Sequence, residues 1–335
     1  MRSFSCPKCG HLLFFENSLC LNCESEVGFD RATAEFVLAT PATRCDNAVL
    51  AECNWIAPEG GLCDCCELTR TRPSDDDADG MAAFARAEAA KRRLLYQLDD
   101  LGLGVETTPD CPGLAFDLLS SVDEPVTTGH ADGVITLDLA EGDDGHRETM
   151  RVRLDEPYRT LLGHFRHEVG HYYWMRLVDG GPALPTARQL FGDERADYAE
   201  ALAAHYSSEP APGWEQTHVS IYATAHPWED WAETFAHYLH IRDALQTASA
   251  FGIVVAGPEV EVPPDPDAPL ASVPIETDDF DDLVNSWLPL TYALNAVNRS
   301  MGKEDLYPFV LSPAVLEKLR FVHTLVTRKP PARPQ

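Results

Sequence analysis

Nine of the ten cysteines in this 335-residue chain lie before residue 67, and this clustering constrains its first fifth more than any other feature. Cys6-Pro-Lys-Cys9 and Cys20-Leu-Asn-Cys23 are two CxxC pairs separated by ten residues. A tight turn in each pair can direct two thiolates at one tetrahedral ion. The spacing therefore predicts a zinc site of four cysteines, which is structural because no ligand position remains for water or substrate.

A second set of cysteines follows and ends in another CxxC pair. Its predicted zinc ligands are Cys45, Cys53, Cys63 and Cys66. Cys65 could replace Cys63 or Cys66, and buried free cysteines are the alternative interpretation of the whole set. Cys111 stands apart, and we expect it to be simply buried.

The charge balance is strongly acidic, with 26 basic and 54 acidic residues and a formal charge of −28. The cysteine-rich segment is acidic as well, with six basic and ten acidic residues between positions 1 and 72. Such a field repels phosphate backbones and anionic lipid surfaces. We therefore expect neither nucleic-acid nor membrane binding, and a protein-docking role for the cysteine-rich module.

The sequence also indicates a cytoplasmic location. The first thirty residues lack the apolar core of a signal peptide, and no stretch of 18 apolar residues indicates a membrane span. In a cytoplasmic chain, clustered cysteines are expected to bind metal instead of forming disulfides.

Composition and periodicity predict an α+β fold, mainly helical, with a small amino-terminal module. The module covers residues 1–72, an acidic linker covers 73–80, the body covers 81–328, and a disordered tail covers 329–335. Alternating apolar residues predict a strand at 133–140, and proline and aspartate predict a surface loop at 253–282. Helical periodicity is found at 81–101, 157–177, 194–206, 227–248, 283–297 and 313–327.

The sequence His167-Glu168-Val169-Gly170-His171 lies inside one of these helical segments. On a helix the two histidines are one turn apart on the same face, so both imidazoles can bind one zinc ion. Glu168 would then lie beside the metal, where it could act as the general base toward an activated water. His164 shares this face and is a less favoured ligand.

The residues alone do not identify the third zinc ligand. Trp174 and Leu177 occupy the positions of the glycine and last histidine in HExxHxxGxxH, which excludes that ligand set. The carboxylate alternatives are Glu194, Glu229 and Glu233. Because Glu229 and Glu233 are one helical turn apart, one could bind the metal while the other holds a ligand histidine.

Several segments together resemble a bacterial family of zinc-binding metallopeptidases with an amino-terminal zinc ribbon. They are the two cysteine pairs, Cys45 through Arg70-Thr71-Arg72-Pro73, HEVGHYYW, FGDERADYAEAL, HPWEDWAETFAHYLH and NRSMGKEDLYPF, and they span nearly the whole chain. The resemblance implies a zincin-like catalytic body of the gluzincin type.

The order HExxH, tyrosine, then E-x-x-A-E-x-F is more distantly similar to the catalytic domain of anthrax lethal factor. The corresponding residues here are Tyr222, Glu229, Ala232, Glu233 and Phe235. This likeness implies that Glu229 is the third zinc ligand and that Tyr222 assists at the substrate carbonyl. Glu233 then becomes the partner that orients a ligand.

These observations predict a zinc metallopeptidase acting on a peptide or protein substrate, with one catalytic and two structural zinc ions. Its substrate backbone would pair with an exposed edge strand, for which 133–140 is the expected candidate. The alternative is a zinc-stabilised interaction or regulatory protein in which HEVGH is a vestigial metal site.

Overall fold

The computed structural model of this protein describes residues 1–109, 111–121, 126–142, 160–257 and 279–327. It contains two compact units, Ser3–Leu184 and Met1–Arg2 with Pro185–Gln335. Three expectations fall at least partly outside the described residues: the helix start at 157–159, most of the loop 253–282, and the tail 329–335. As expected, the described chain is mainly helical with a small sheet content.

The cysteine-rich segment folds as two small antiparallel hairpins. The first joins β1 (Phe4–Ser5) to β2 (Leu12–Leu13), and the second joins β3 (Val27–Asp30) to β4 (Glu35–Leu38). Their shared core is a cluster of aromatic rings with centroids 5.1 to 6.4 Å apart: Phe4, Phe15, Phe29, Phe36, Trp55 and Tyr96. Tyr96 belongs to the first helix, α1 (Ala78–Asp100), so the hairpins share their core with the following helix.

A four-stranded sheet has the strand order β5-β6-β8-β7. Its strands are β5 (Thr69–Thr71), β6 (Ala115–Leu119), β7 (Gly129–Ala131) and β8 (Val134–Asp138). β6 is parallel to β5 and β8, whereas β7 is antiparallel to β8. The alternation predicted for 133–140 is confirmed, because Ile135 and Leu137 are fully buried and their neighbours are not.

The expectation that 133–140 forms an exposed edge is wrong. Asp132 and Gly133 both have positive φ angles, 49° and 83°, as a two-residue hairpin turn requires. This turn folds β7 back against β8, so β8 lies inside the sheet and β7 occupies the edge. An aspartate-glycine pair was the local signal for this hairpin.

Two helices complete the first unit. Helix α1 begins at Ala78 because Asp77 accepts a hydrogen bond from the Gly80 amide, so the last three residues of the expected linker are helical. Helix α2 (Leu161–Leu177) contains HEVGH, and the Thr160 hydroxyl caps its first turn. It packs against α1 and β7.

In the described chain, the second unit contains five α-helices: α3 (Leu184–Phe191), α4 (Tyr198–Ser207), α5 (Pro227–Ala250), α6 (Phe280–Ser300) and α7 (Pro313–Thr327). Helix α3 was not expected. The helix expected at 194–206 begins four residues later, because Asp197 caps it through the Glu200 amide. Helix α5 packs against α6 and α7. None of the described helices combines the length and apolarity needed to cross a membrane.

A buried ion pair joins α5 to α7. The Lys318 ammonium lies 2.6 Å from Asp230 Oδ2, and these side chains are 6% and 1% exposed. Lys318 also donates to the Thr217 carbonyl oxygen. Burial raises the pKa of Asp230, and the charge of Lys318 opposes that shift.

Replacing Lys318 with methionine should lower the free energy of unfolding by about 3 to 5 kcal/mol, because it leaves the Asp230 carboxylate buried without its cation. Chemical denaturation measures this change. Arg320→Met is the control on the same helix: the Arg320–Asp281 pair is 48% and 68% exposed, and its loss should cost at most about 1 kcal/mol. Equal effects of the two substitutions would contradict the assigned role of Lys318.

Candidate metal centres

The first four predicted thiolate ligands come together from the turn of the first hairpin and from the segment that joins the two hairpins. They are Cys6, Cys9, Cys20 and Cys23, whose Sγ atoms all lie within 4.8 Å of one another. The Cys6–Cys23 and Cys9–Cys20 sulfur distances are 3.7 and 3.6 Å. A disulfide would require about 2.05 Å, whereas sulfurs placed tetrahedrally around zinc at about 2.3 Å lie about 3.8 Å apart. The spacing therefore fits zinc.

Two similar backbone turns create this arrangement. The Gly10 amide donates to the Cys6 carbonyl oxygen, and the Glu24 amide donates to that of Cys20, both at 2.8 Å. Gly10 and Glu24 directly follow the second cysteine of each pair and have φ angles of 73° and 55°. The left-handed conformation costs glycine little, but it strains a residue with a Cβ atom such as Glu24.

The second predicted set also converges. Cys45, Cys53, Cys63 and Cys66 are all buried, and their Sγ atoms lie within 4.8 Å of one another. Cys53 Sγ is 3.6 Å from Cys63 Sγ and 3.7 Å from Cys66 Sγ. The Cys63 amide donates to Cys45 Sγ at 3.3 Å. Cys65 is fully buried, but it does not belong to this group.

Buried charges on α1 suit the second cysteine group. Burial lowers the pKa of Lys91, but the neighbouring Cys65, Glu88 and Cys66 more than offset this effect and raise it above its ordinary value. Glu88 accepts hydrogen bonds from Lys91 and from Thr69. Burial also lowers the pKa of Arg92, but Cys53, Cys65, Glu88 and Cys66 raise it above its ordinary value. Because four thiolates and one zinc ion carry a net charge of −2, these cations offset charge that would otherwise be buried uncompensated.

Substitution of adjacent cysteines tests this ligand assignment. Cys66→Ser should remove one zinc equivalent, because it deletes one of four thiolate ligands. Cys65→Ser should retain the full zinc content, which atomic absorption of the purified protein measures. Loss of zinc from the Cys65 variant, with retention in the Cys66 variant, would reverse the assignment.

The two histidines of HEVGH face each other on α2. Their ring centroids are 4.9 Å apart with the planes at 83°, and both side chains are buried. Glu168 lies between them in the chain and is 8% exposed. Within the described chain, its Oε2 atom has no hydrogen-bond partner. A buried carboxylate oxygen without a partner is costly, so this atom suits a water molecule or another polar group.

Hydrogen bonds hold α2 in place beside these histidines. Tyr173 donates to the Leu103 carbonyl oxygen at 3.1 Å, and Arg176 donates to that of Glu106 at 2.9 Å. Arg166 donates to the Gln97 amide oxygen at 3.1 Å. These contacts fix both ends of HEVGH against α1 and the segment that follows it.

A histidine on the edge strand β7 lies beside α2. The ring of His130 contacts that of Tyr172 edge-on, with centroids 6.1 Å apart. Burial and the neighbouring His171 lower the pKa of His130 to about 4. His130 is therefore neutral at pH 7, and its Nε2 accepts a hydrogen bond from the Gly133 amide.

In the second unit, the carboxylate candidates have different environments. Glu229 lies in the first turn of α5, is 1% exposed, and accepts a 2.8 Å hydrogen bond from the Tyr198 hydroxyl through Oε1. Glu194 instead forms an ion pair with Arg188, whose hydrogen bond lowers the pKa of Glu194. It precedes α4 and does not begin that helix, contrary to expectation.

Tyr222 and Glu233 also lie in the second unit. Burial and the charge of Glu229 raise the pKa of Tyr222, so its phenol remains protonated and can donate a hydrogen bond at neutral pH. Glu233 Oε2 accepts a 2.6 Å hydrogen bond from the Ser220 hydroxyl. Tyr198 was not among the predicted site residues, although it lies in the FGDERADYAEAL segment that also contains Glu194.

Comparison with known families gives two matches. Residues 80–325 match a family described as "Putative zinc-binding metallo-peptidase", and residues 3–77 match a zinc-ribbon domain. Uncharacterised proteins of Mycobacterium tuberculosis (strain H37Rv) and Mycobacterium bovis are 54% identical over 341 residues, covering 99% of this chain and 97% of each relative. No solved structure matches the chain.

Proposed function

We propose that this chain, which belongs to the family of zinc-binding metallopeptidases with an amino-terminal zinc ribbon, hydrolyses peptide bonds at the HEVGH helix. The observation that carries the proposal is the pairing of His167 and His171 around Glu168, whose buried Oε2 has no hydrogen-bond partner in the described chain. Two imidazoles and an adjacent carboxylate are the groups that metal-assisted hydrolysis requires.

Glu229 is the proposed third ligand. His167 and His171 are buried on α2 in the first unit, and Glu229 is buried in the first turn of α5 in the second. Two nitrogens and one carboxylate oxygen are a donor set typical of catalytic zinc, which retains an open position. The ion pair between Glu194 and Arg188 argues against Glu194 in this role.

Bound zinc would polarise the scissile carbonyl and lower the pKa of water toward about 7. Glu168 would accept the proton of the attacking water at Oε2 and transfer it to the departing amine. Tyr222, held in its protonated form, would donate a hydrogen bond to the carbonyl oxygen as negative charge develops there. Glu233 is the proposed partner that orients one of the zinc ligands.

The edge strand β7 is a better candidate than β8 for pairing with an extended substrate. It lies at the end of the sheet order and packs against α2. An exposed strand edge offers backbone hydrogen bonds to a peptide without requiring a particular side chain.

Two further proposals concern the setting of the enzyme. The free cysteines, at distances suited to zinc, favour a reducing compartment such as the cytoplasm.

Apolar side chains exposed on the zinc ribbon support a protein-docking role; Leu21 is 82% exposed and Phe14 is 54% exposed. The proposed zinc content is one catalytic and two structural ions.

Glu168→Gln should lower the cleavage of a peptide library by about 10²- to 10⁴-fold, because the amide cannot accept the proton. Mass spectrometry of the digest measures cleavage, and the zinc content should remain unchanged. Glu200→Gln, an exposed substitution on α4, is the control and should cleave normally. Full cleavage by the Glu168 variant would refute the mechanism, and zinc binding by a wild-type protein without any cleavage would favour a regulatory role.

Glu229→Ala should release the catalytic zinc ion and leave two, because one of three protein ligands is removed. Glu194→Ala should keep all three ions, since Glu194 is engaged by Arg188. Metal analysis after dialysis against a weak chelator distinguishes the two variants. The opposite pattern would transfer the ligand role to Glu194.

A further inference from the structure

The segment before α4 runs directly against the first turn of α5. Gly192 has a φ angle of 103°, and a Cβ atom at this position would lie 3.0 Å from Cγ of Pro227. Side chains brace the same segment: Arg195 donates to Asp193 at 2.8 Å, and Arg188 donates to Glu194 at 2.9 Å. The backbone of 192–197 is therefore held against the helix that contains Glu229.

His226 links this segment to α5 through both ring nitrogens. Its Nδ1 accepts a hydrogen bond from the Trp228 amide at 3.1 Å, so the proton resides on Nε2. Nε2 lies 3.2 Å from the Ala196 carbonyl oxygen and donates to it. The same imidazole therefore caps α5 and anchors the backbone two residues before Tyr198.

The ring of Tyr198 is fixed by aromatic contacts on the α5 side. The His226 ring packs edge-to-face against the Tyr198 ring with a centroid distance of 5.3 Å, and the Trp228 ring does so with a centroid distance of 6.1 Å. Its hydroxyl then donates to Glu229 Oε1 at 2.8 Å. Tyr222 is a further hydrogen-bonding neighbour of Tyr198, so this hydroxyl lies between the proposed ligand and the proposed carbonyl-binding tyrosine.

We infer that Tyr198 is a positioning residue that orients the Glu229 carboxylate for zinc. The inference rests on the proposed function, in which Glu229 is the third ligand. A hydrogen bond to Oε1 fixes the rotation of the carboxylate and directs Oε2 as the metal-binding atom. Partners of this kind commonly contribute 10- to 100-fold to metal affinity, roughly the effect expected here.

The test compares the full-length Tyr198→Phe protein with wild type in a zinc titration against a chromophoric chelator. Removing the hydroxyl should weaken binding of the third zinc ion by about 10- to 100-fold and leave the two cysteine-bound ions in place. Cobalt substitution supplies a second readout, because the visible absorption of the third site should change with altered carboxylate coordination. Tyr292→Phe, at a tyrosine that is 65% exposed on α6, is the control and should match wild type.

Unchanged affinity and an unchanged cobalt spectrum in Tyr198→Phe would overturn the inference. Tyr198→Leu separates the hydrogen bond from ring packing: Phe and Leu should weaken binding alike if the hydroxyl is responsible. If only Leu weakens it, packing is the cause and the inference is overturned. Glu229→Ala measured in parallel isolates the proposed function, because retention of the third ion in that variant would remove Glu229 itself as a ligand.

Discussion

Two imidazoles can share one metal ion only while helix α2 holds them one turn apart and fixes their common face. The structure meets this requirement by burying the helix from Phe165 to Trp174. Tyrosine and arginine side chains along it donate to backbone carbonyl oxygens of the segment after α1. Glu168 is thereby held in a buried position. Burying a carboxylate oxygen without a hydrogen-bond partner costs free energy, and this cost is consistent with a role for the oxygen in chemistry.

Buried charge is balanced in each unit by specific partners. Lys91, Arg92 and Glu88 of α1 adjoin the second cysteine group, and the Tyr96 ring of the same helix completes the aromatic core of the hairpins. Folding of the zinc ribbon and packing of α1 are therefore energetically coupled. In the second unit, Lys318 forms an ion pair with Asp230, and Tyr198 donates a hydrogen bond to Glu229.

The sequence was most informative where function depends on short spacing. CxxC pairs and the one-turn separation of His167 and His171 fix ligand geometry locally, and the structure brings each set together. The edge prediction for 133–140 was wrong although the signal against it was local, because an Asp-Gly turn adds β7 beside β8 and places β8 inside the sheet. Long-range relations were less accessible. Tyr198 reaches Glu229 from 31 residues away, and no periodicity within either segment indicates that contact.

The most direct test of the proposed catalytic site is anomalous X-ray diffraction at the zinc absorption edge from crystals of the zinc-loaded protein. The proposed zinc assignment predicts three anomalous peaks. Two should lie among the cysteine groups, and the third should be bound by His167, His171 and Glu229 with one position open to water. A third peak bound by Glu194, or no peak at HEVGH in protein that cleaves peptides, would contradict it.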